Sequence, residues 1–199
     1  YIKIGMTEKQ IALEIERYFK TNGADGVSFA PIVAIGENSS VPHWVPGDRK
    51  VEMADPILID MGCKYDGYCS DMTRTIFMGC ILEEIKPVYD LALKNLELST
   101  KEITDGYTIK TAANMVESDF KVNGYNLIHA LGHGVGLEVH ELPFIRLKNE
   151  ASFKENMVIA DEPGIYLPGR YGIRIEDTLL VTKNGSERLT KSERGYVVI

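Results

Sequence analysis

Pro56-Ile57-Leu58-Ile59-Asp60-Met61-Gly62 and, after Asp66-Gly67, the run from Tyr68 to Phe77 carry the signal from which the rest of this chain can be read. Asp-Gly between two β-rich runs marks a tight hairpin turn. With the turn there, Asp71 lies opposite Gly62. Side chains alternate across a strand, so Asp60, two residues before Gly62, points to the same side as Asp71. An acid at the end of so apolar a strand is costly to bury alone. Two converging acids repel, and one is driven to hold its proton unless a cation keeps both ionised. Taken singly, each aspartate could instead cap a loop or pair with Arg74.

The second half of the chain repeats the design. Apolar Met157-Val158-Ile159-Ala160 leads to Glu162, Glu176 follows Gly172-Ile173-Arg174-Ile175, and Pro168-Gly169 supplies a turn roughly midway between the two acids. Two hairpins with acids on their inner faces form a pseudo-symmetric pair, although no internal repeat is visible in the residues themselves. Four carboxylates in one pocket require cations. Between the hairpins lies Ile128-His129-Ala130-Leu131-Gly132-His133-Gly134-Val135-Gly136. His129 and His133 are spaced for one face of a helix, but the three glycines oppose a helix. Ala130 also stands where a zinc-protease helix would carry its glutamate. The glycines instead let the backbone approach closely and aim His133 inward as a nitrogen ligand, whereas His129 reads as a satisfied core histidine.

Working outward, Thr7-Glu8-Lys9-Gln10 is a capping box, and Ile11, Ile15, Tyr18 and Phe19 continue it as a helix until Asn22-Gly23. Val27 to Ile35 reads as one strand closed by Gly36, followed by a polar loop through Ser40. Helices are expected over about Leu82 to Ile103 and about Thr108 to Val122, and strands over Met157 to Ala160 and Ile173 to Val181. Strand pairs separated by helices define an α+β class with a largely antiparallel sheet. The 199 residues suffice for one domain with a real core, and no linker interrupts them. A net charge of −7 and the lack of a basic stripe speak against nucleic acid. The chain has no apolar run long enough to span a bilayer and no signal-peptide pattern at its start. Cys63, Cys69 and Cys80 form no CxxC pair and read as reduced packing residues, which places the protein in the cytoplasm.

Five strings, in order, resemble the pita-bread metallopeptidase superfamily and within it the Xaa-Pro branch of prolidases (Xaa-Pro dipeptidases) and aminopeptidase P. They are Pro42-His43 after Gly36-Glu37-Asn38; Ile59-Asp60-Met61-Gly62 with Gly67 to Thr75; Gly132 to Gly136 with Val139-His140-Glu141-Leu142-Pro143; Glu162-Pro163-Gly164-Ile165-Tyr166; and Arg174-Ile175-Glu176-Asp177. The resemblance implies the pita-bread fold, a pseudo-two-fold curved antiparallel sheet with helices packed on its outside. It implies one catalytic domain over residues 1–199, lacking the additional N-terminal domain of that branch, and a homodimer.

The implied metal ligands are Asp60, Asp71, His133, Glu162 and Glu176, with Asp71 and Glu176 bridging two divalent ions. An oxygen-rich set with one imidazole favours manganese, with cobalt, zinc or iron as further ions such donors accept. Glu162 is the expected general base. His43 and His140 are expected to bind substrate and to stabilise the oxyanion or the leaving nitrogen. Arg174 either orients a carboxylate ligand or clamps a substrate terminus. The implied reaction is hydrolysis of a peptide bond near the N-terminus of Xaa-Pro dipeptides or peptides. A methionine-type or general aminopeptidase of the same fold is the alternative within enzymes, and a non-catalytic peptide-binding domain is the alternative of another class. Two departures from the branch stand out: Asp161 replaces the usual Thr or Ser before Glu162, and Phe144 follows Pro143 where some prolidases carry Arg.

Overall fold

The computed structural model describes all residues 1–199. Three helices, α1 (Glu8–Thr21), α2 (Lys86–Glu102) and α3 (Ile109–Val122), accompany thirteen short strands. The first half carries β1 (Gly26–Val27), β2 (Ile32–Ile35), β3 (Pro56–Met61), β4 (Cys63–Tyr65), β5 (Tyr68–Cys69) and β6 (Met72–Phe77). The second half carries β7 (Gly132–Gly134), β8 (Glu141–Ile145), β9 (Val158–Asp161), β10 (Gly164–Leu167), β11 (Tyr171–Arg174), β12 (Asp177–Thr182) and β13 (Gly185–Arg188). No helix is long and apolar enough to cross a membrane.

The Asp66-Gly67 hairpin forms with positive φ at both positions, 48° and 80°, as a turn matched to the twist of its strands requires. Its register sets Met61 against Met72 and Asp60 against Thr73. The two long strands expected there are, however, each broken. Gly62 separates β3 from β4, and Ser70-Asp71 separates β5 from β6. The tip peels away as a separate sheet in the order β1-β4-β5, while β2-β3-β6 forms the body. The strand expected over Val27 to Ile35 divides accordingly between these two sheets, and residues Gly36–Ser40 coil into a 3₁₀ turn instead of an open loop.

The second ribbon is also broken, and in register. β10 pairs with β11 through Gly164 and Arg174, and β9 pairs with β12 through Asp161 and Asp177. Glu162 and Glu176 therefore sit opposite one another where the ribbon changes sheet. The larger sheet runs β13-β12-β9-β7-β8, antiparallel throughout.

Helix α1 packs on β2, and its Ile11 and Ala12 join Val33, Ile35, Ile57 and Ile59 in a small core. Helices α2 and α3 pack on each other and on the second half, forming the larger core around Tyr89, Phe120, Phe153 and Leu179. Helix α2 begins four residues later than its apolar pattern suggests because Pro87 has no N–H to give and fits only the first turn. Cys63 and Cys69 are half-buried, but Cys80 is exposed and does not serve packing.

Gly62 is where the first ribbon bends. A Cβ there would stand 1.9 Å from the Ser70 carbonyl oxygen, which belongs to the backbone and cannot move aside. Gly62→Ala is expected to cost about 1–3 kcal/mol in urea unfolding. An unchanged midpoint would show that the strands do not meet at this distance.

Candidate metal centre

Breaks in the two ribbons deliver three of the acids. Asp71 lies between β5 and β6, Glu162 between β9 and β10, and Glu176 between β11 and β12, while Asp60 lies within β3 and His133 within β7. All five line one cavity of about 120 Å³, together with His43, His129, His140 and Arg174. One donor atom from each of Asp71, His133 and Glu176 lies within 4.8 Å of the others. His133 Nε2 stands 3.6 Å from Asp71 Oδ2 and 3.6 Å from Glu162 Oε1.

The imidazole is oriented from behind. His133 Nδ1 is 3.0 Å from the Gly134 carbonyl, so that nitrogen carries the proton and the Nε2 lone pair faces the carboxylates. Desolvation holds the His133 pKa below the ordinary histidine value, which keeps the ring neutral and able to ligate.

The acids are bound into the frame with equal care. Arg174 Nη2 donates to Asp60 Oδ2 at 2.6 Å, Nε to Thr73 Oγ1 at 3.0 Å, and Nη1 to the Tyr166 hydroxyl at 2.8 Å. Thr73 in turn donates to Glu176 Oε2 at 2.6 Å. Asp60 keeps its other oxygen, Oδ1, buried with no hydrogen-bond partner at all. The ribbons are stitched together here, with Glu176 N donating to Thr73 O and Thr178 Oγ1 to Asp71 O.

One guanidinium faces four carboxylates, and the proton affinities of Asp71, Glu162 and Glu176 rise. Asp71 is pushed up to about 9, first by burial and then by Asp60 and Glu162. Burial also leads in raising Glu162, to about 8, and Glu176, well above the usual carboxylate range. An orphaned buried oxygen, a neutral imidazole aimed at carboxylates and three acids pressed toward protonation are what a site for divalent cations presents. The donor set fits such ions.

His43 and His140 are exposed at the mouth, and the His140 ring meets His133 edge-on at 4.3 Å between centroids. The alternative pairing of an aspartate with Arg74 does not occur in the site. Arg74 instead binds Asp177 at 2.6 Å and donates to the Glu176 carbonyl.

His129 corrects the expectation of a core histidine. Both its nitrogens are engaged, by the Ala130 carbonyl at 2.7 Å and the Tyr166 hydroxyl at 2.9 Å, yet it is half-buried and lines the cavity. Desolvation pushes its pKa down to about 4. Sequence reasoning also passed over Thr73 and Tyr166. Thr73 was within reach, since it faces Asp60 across the hairpin. Tyr166 stands in the Glu162-Pro163-Gly164-Ile165-Tyr166 string, but only the fold shows its contacts with His129 and Arg174.

The sequence pattern of metallopeptidase family M24 matches residues 1–183, and the chain belongs to that family. It is 43% identical over 192 residues to an Xaa-Pro dipeptidase of Pyrococcus furiosus, covering 96% of this chain and 55% of the relative. The crystal structure of an X-Pro aminopeptidase from Thermotoga maritima superposes with a TM-score of 0.97 at 41% identity, over 100% of this chain and 57% of that one. An Xaa-Pro dipeptidase from Bacillus anthracis gives a TM-score of 0.97 at 36% identity, over 100% and 56%. These relatives share the pita-bread fold. The chain spans about half the length of the curated relatives it matches.

The raised carboxyls set a pH dependence. Without cations, Asp71 and Glu162 in the folded chain hold protons up to about 9 and about 8, whereas their ordinary values are 3.8 and 4.5. Their contribution to stability is full below about pH 4 and is lost as the pH rises through 8 to 9. The thermal midpoint of chelated protein should therefore fall between about pH 6 and 9, and added manganese should cancel the fall. A chelated protein whose midpoint holds steady over that range would remove the argument.

Proposed function

We propose that the chain is the catalytic part of a metallo-exopeptidase that hydrolyses the bond preceding proline at the N-terminus of Xaa-Pro dipeptides or peptides. The observation that carries this reading is the convergence of Asp60, Asp71, Glu162, Glu176 and the neutral imidazole of His133 on one cavity. The names of its relatives supply the substrate class.

Asp60, Asp71, His133, Glu162 and Glu176 would together hold two divalent cations. Such ions polarise a scissile carbonyl and make water acidic near neutral pH. Manganese is the ion we favour for this oxygen-rich set.

Glu162 is the general base. Its Oε1 faces the cavity 3.6 Å from His133 Nε2, where a carboxylate can take a proton from water and pass it to the departing nitrogen. His140 and His43 at the mouth donate to the substrate carbonyl or the nitrogen that leaves. Arg174 orients Asp60, since its N–H groups are committed to Asp60, Thr73, Tyr166 and the Pro42 carbonyl. Three free cysteines suit a reducing compartment, and we place the protein in the cytoplasm as a homodimer.

Asp71→Ala or His133→Ala should bring hydrolysis of Ala-Pro and Arg-Pro-Pro to background. Chelation should do the same, with recovery when manganese or cobalt returns. Activity that survives either treatment would end this reading, and a preference for Met-Ala-Ser would move the substrate to another branch. Arg174→Met, which frees Asp60, should weaken manganese binding by roughly 10- to 100-fold in a direct titration. Unaltered binding would assign the guanidinium to substrate instead.

A further inference from the structure

Glu8 is fully buried, yet none of the groups discussed so far explains it. It opens helix α1, apart from the residues that line the cavity, and its carboxylate has no cationic partner. Arg49, two residues after Gly47, is paired with Asp55 instead. Four neutral N–H donors converge on the two oxygens of Glu8. Oε1 accepts from Ile35 N at 2.9 Å and Asn38 Nδ2 at 2.8 Å, and Oε2 accepts from Trp44 Nε1 at 2.9 Å and Gly47 N at 2.7 Å. An amide has only one accepting oxygen and would turn its own N–H groups against two of these donors.

The four donors are the last residue of β2 and three residues of the loop that follows it. This loop leaves β2 at Ile35, turns through Gly36–Ser40 and returns to α1, where Glu8 N donates to Arg49 O and Lys9 N to Gly47 O. Residues 41–47 belong to no helix or strand, so no sheet or helix ladder sets their position. His43 lies within this segment, exposed and on the cavity wall. On one side of it, Pro42 O accepts from Arg174 Nη1 at 3.2 Å, and on the other, Trp44 and Gly47 are fastened to Glu8. The loop also docks on β11, where Gly172 N donates to Ser39 Oγ at 2.8 Å. His43 is thus held from the cavity side by a residue of the metal centre and from behind by a buried carboxylate.

We infer that Glu8 is a positioning residue: it fixes the loop from Ile35 to Gly47 and thereby sets His43 over the substrate, without acting on the metal ligands. The inference rests on the role given to His43 above. Displacement of a substrate-handling group by about 1 Å can cost as much as 100-fold in rate. A residue that acts only through His43 must lose its effect when the imidazole is gone.

The test is a double-mutant cycle on manganese-loaded protein with Ala-Pro as substrate. Glu8→Gln should lower kcat/KM by about 10- to 100-fold, and this loss should vanish in a His43→Ala background. Manganese affinity should stay within about twofold of the parent, because no metal ligand touches Glu8. Trp44 is the only tryptophan, so its emission reads the loop directly and should shift to the red in Glu8→Gln. Equal losses in both backgrounds, weakened manganese binding, or an unmoved Trp44 emission would each overturn the inference.

If Glu8→Gln does not fold, Trp44→Phe removes one donor while keeping an aromatic ring. Its smaller loss, about threefold, must also disappear with His43→Ala, and an additive loss there counts against the inference. A His43→Ala variant that turns over at the parental rate would instead withdraw the role of that histidine, and the Trp44 emission of Glu8→Gln still decides whether the carboxylate holds the loop.

Discussion

Asp60, Asp71, Glu162 and Glu176 are brought into one cavity that holds a single guanidinium, that of Arg174, beside the neutral imidazole of His133. Burial of like charges at this density opposes folding unless protons or cations neutralise them. Much of the surrounding structure can be understood as the means of holding that unfavourable arrangement in place. Arg174 ties Asp60 to Tyr166 and Thr73, Thr73 ties Glu176, and the Gly134 carbonyl fixes the imidazole. None of these contacts occupies Asp60 Oδ1 or His133 Nε2, and both residues line the cavity.

The fold supplies this arrangement by bending two antiparallel ribbons at the points where they must present an acid. Ladder hydrogen bonding stops at Asp71, Glu162 and Glu176, and their side chains turn into the cavity instead of lying on a sheet face. Behind the ribbons, the helices and two hydrophobic cores provide the rigidity that the irregular backbone cannot. Arg74 joins the two functions. It is buried against Asp177 and hydrogen-bonded to the Glu176 carbonyl and to Ser192 and Glu193 near the C-terminus, so the acid-bearing corner is anchored to the last residues of the chain.

Membership of metallopeptidase family M24 and the geometry of the centre support each other, but they speak to different things. The family relation comes from residues matched along the chain. The geometry shows why those residue types occur together: three acids driven toward protonation and an imidazole kept neutral form a set of donors waiting for positive charge. The mouth, with His43 on a tethered loop and His140 against His133, is the more exposed part of the cavity.

Local rules in the sequence determined a good deal. The period-2 alternation and the Asp66-Gly67 turn set a register that places Asp60 and Asp71 on one side, and the register observed is the one that turn dictates. The capping box at Thr7 formed with both of its reciprocal bonds. The tertiary structure alone decided where those strands break, because the close approach of the Ser70 carbonyl and the Phe29 ring to Gly62 leaves no mark in local propensity. It alone gave Arg174 to Asp60, Arg74 to Asp177 and His129 to Tyr166, since partners of a charged or polar side chain are chosen by proximity across elements. Glu8 shows the difference most plainly. In the sequence it is one acid in a helix's first turn, and only the return of a loop some thirty residues later surrounds it with donors and gives its burial a physical reason.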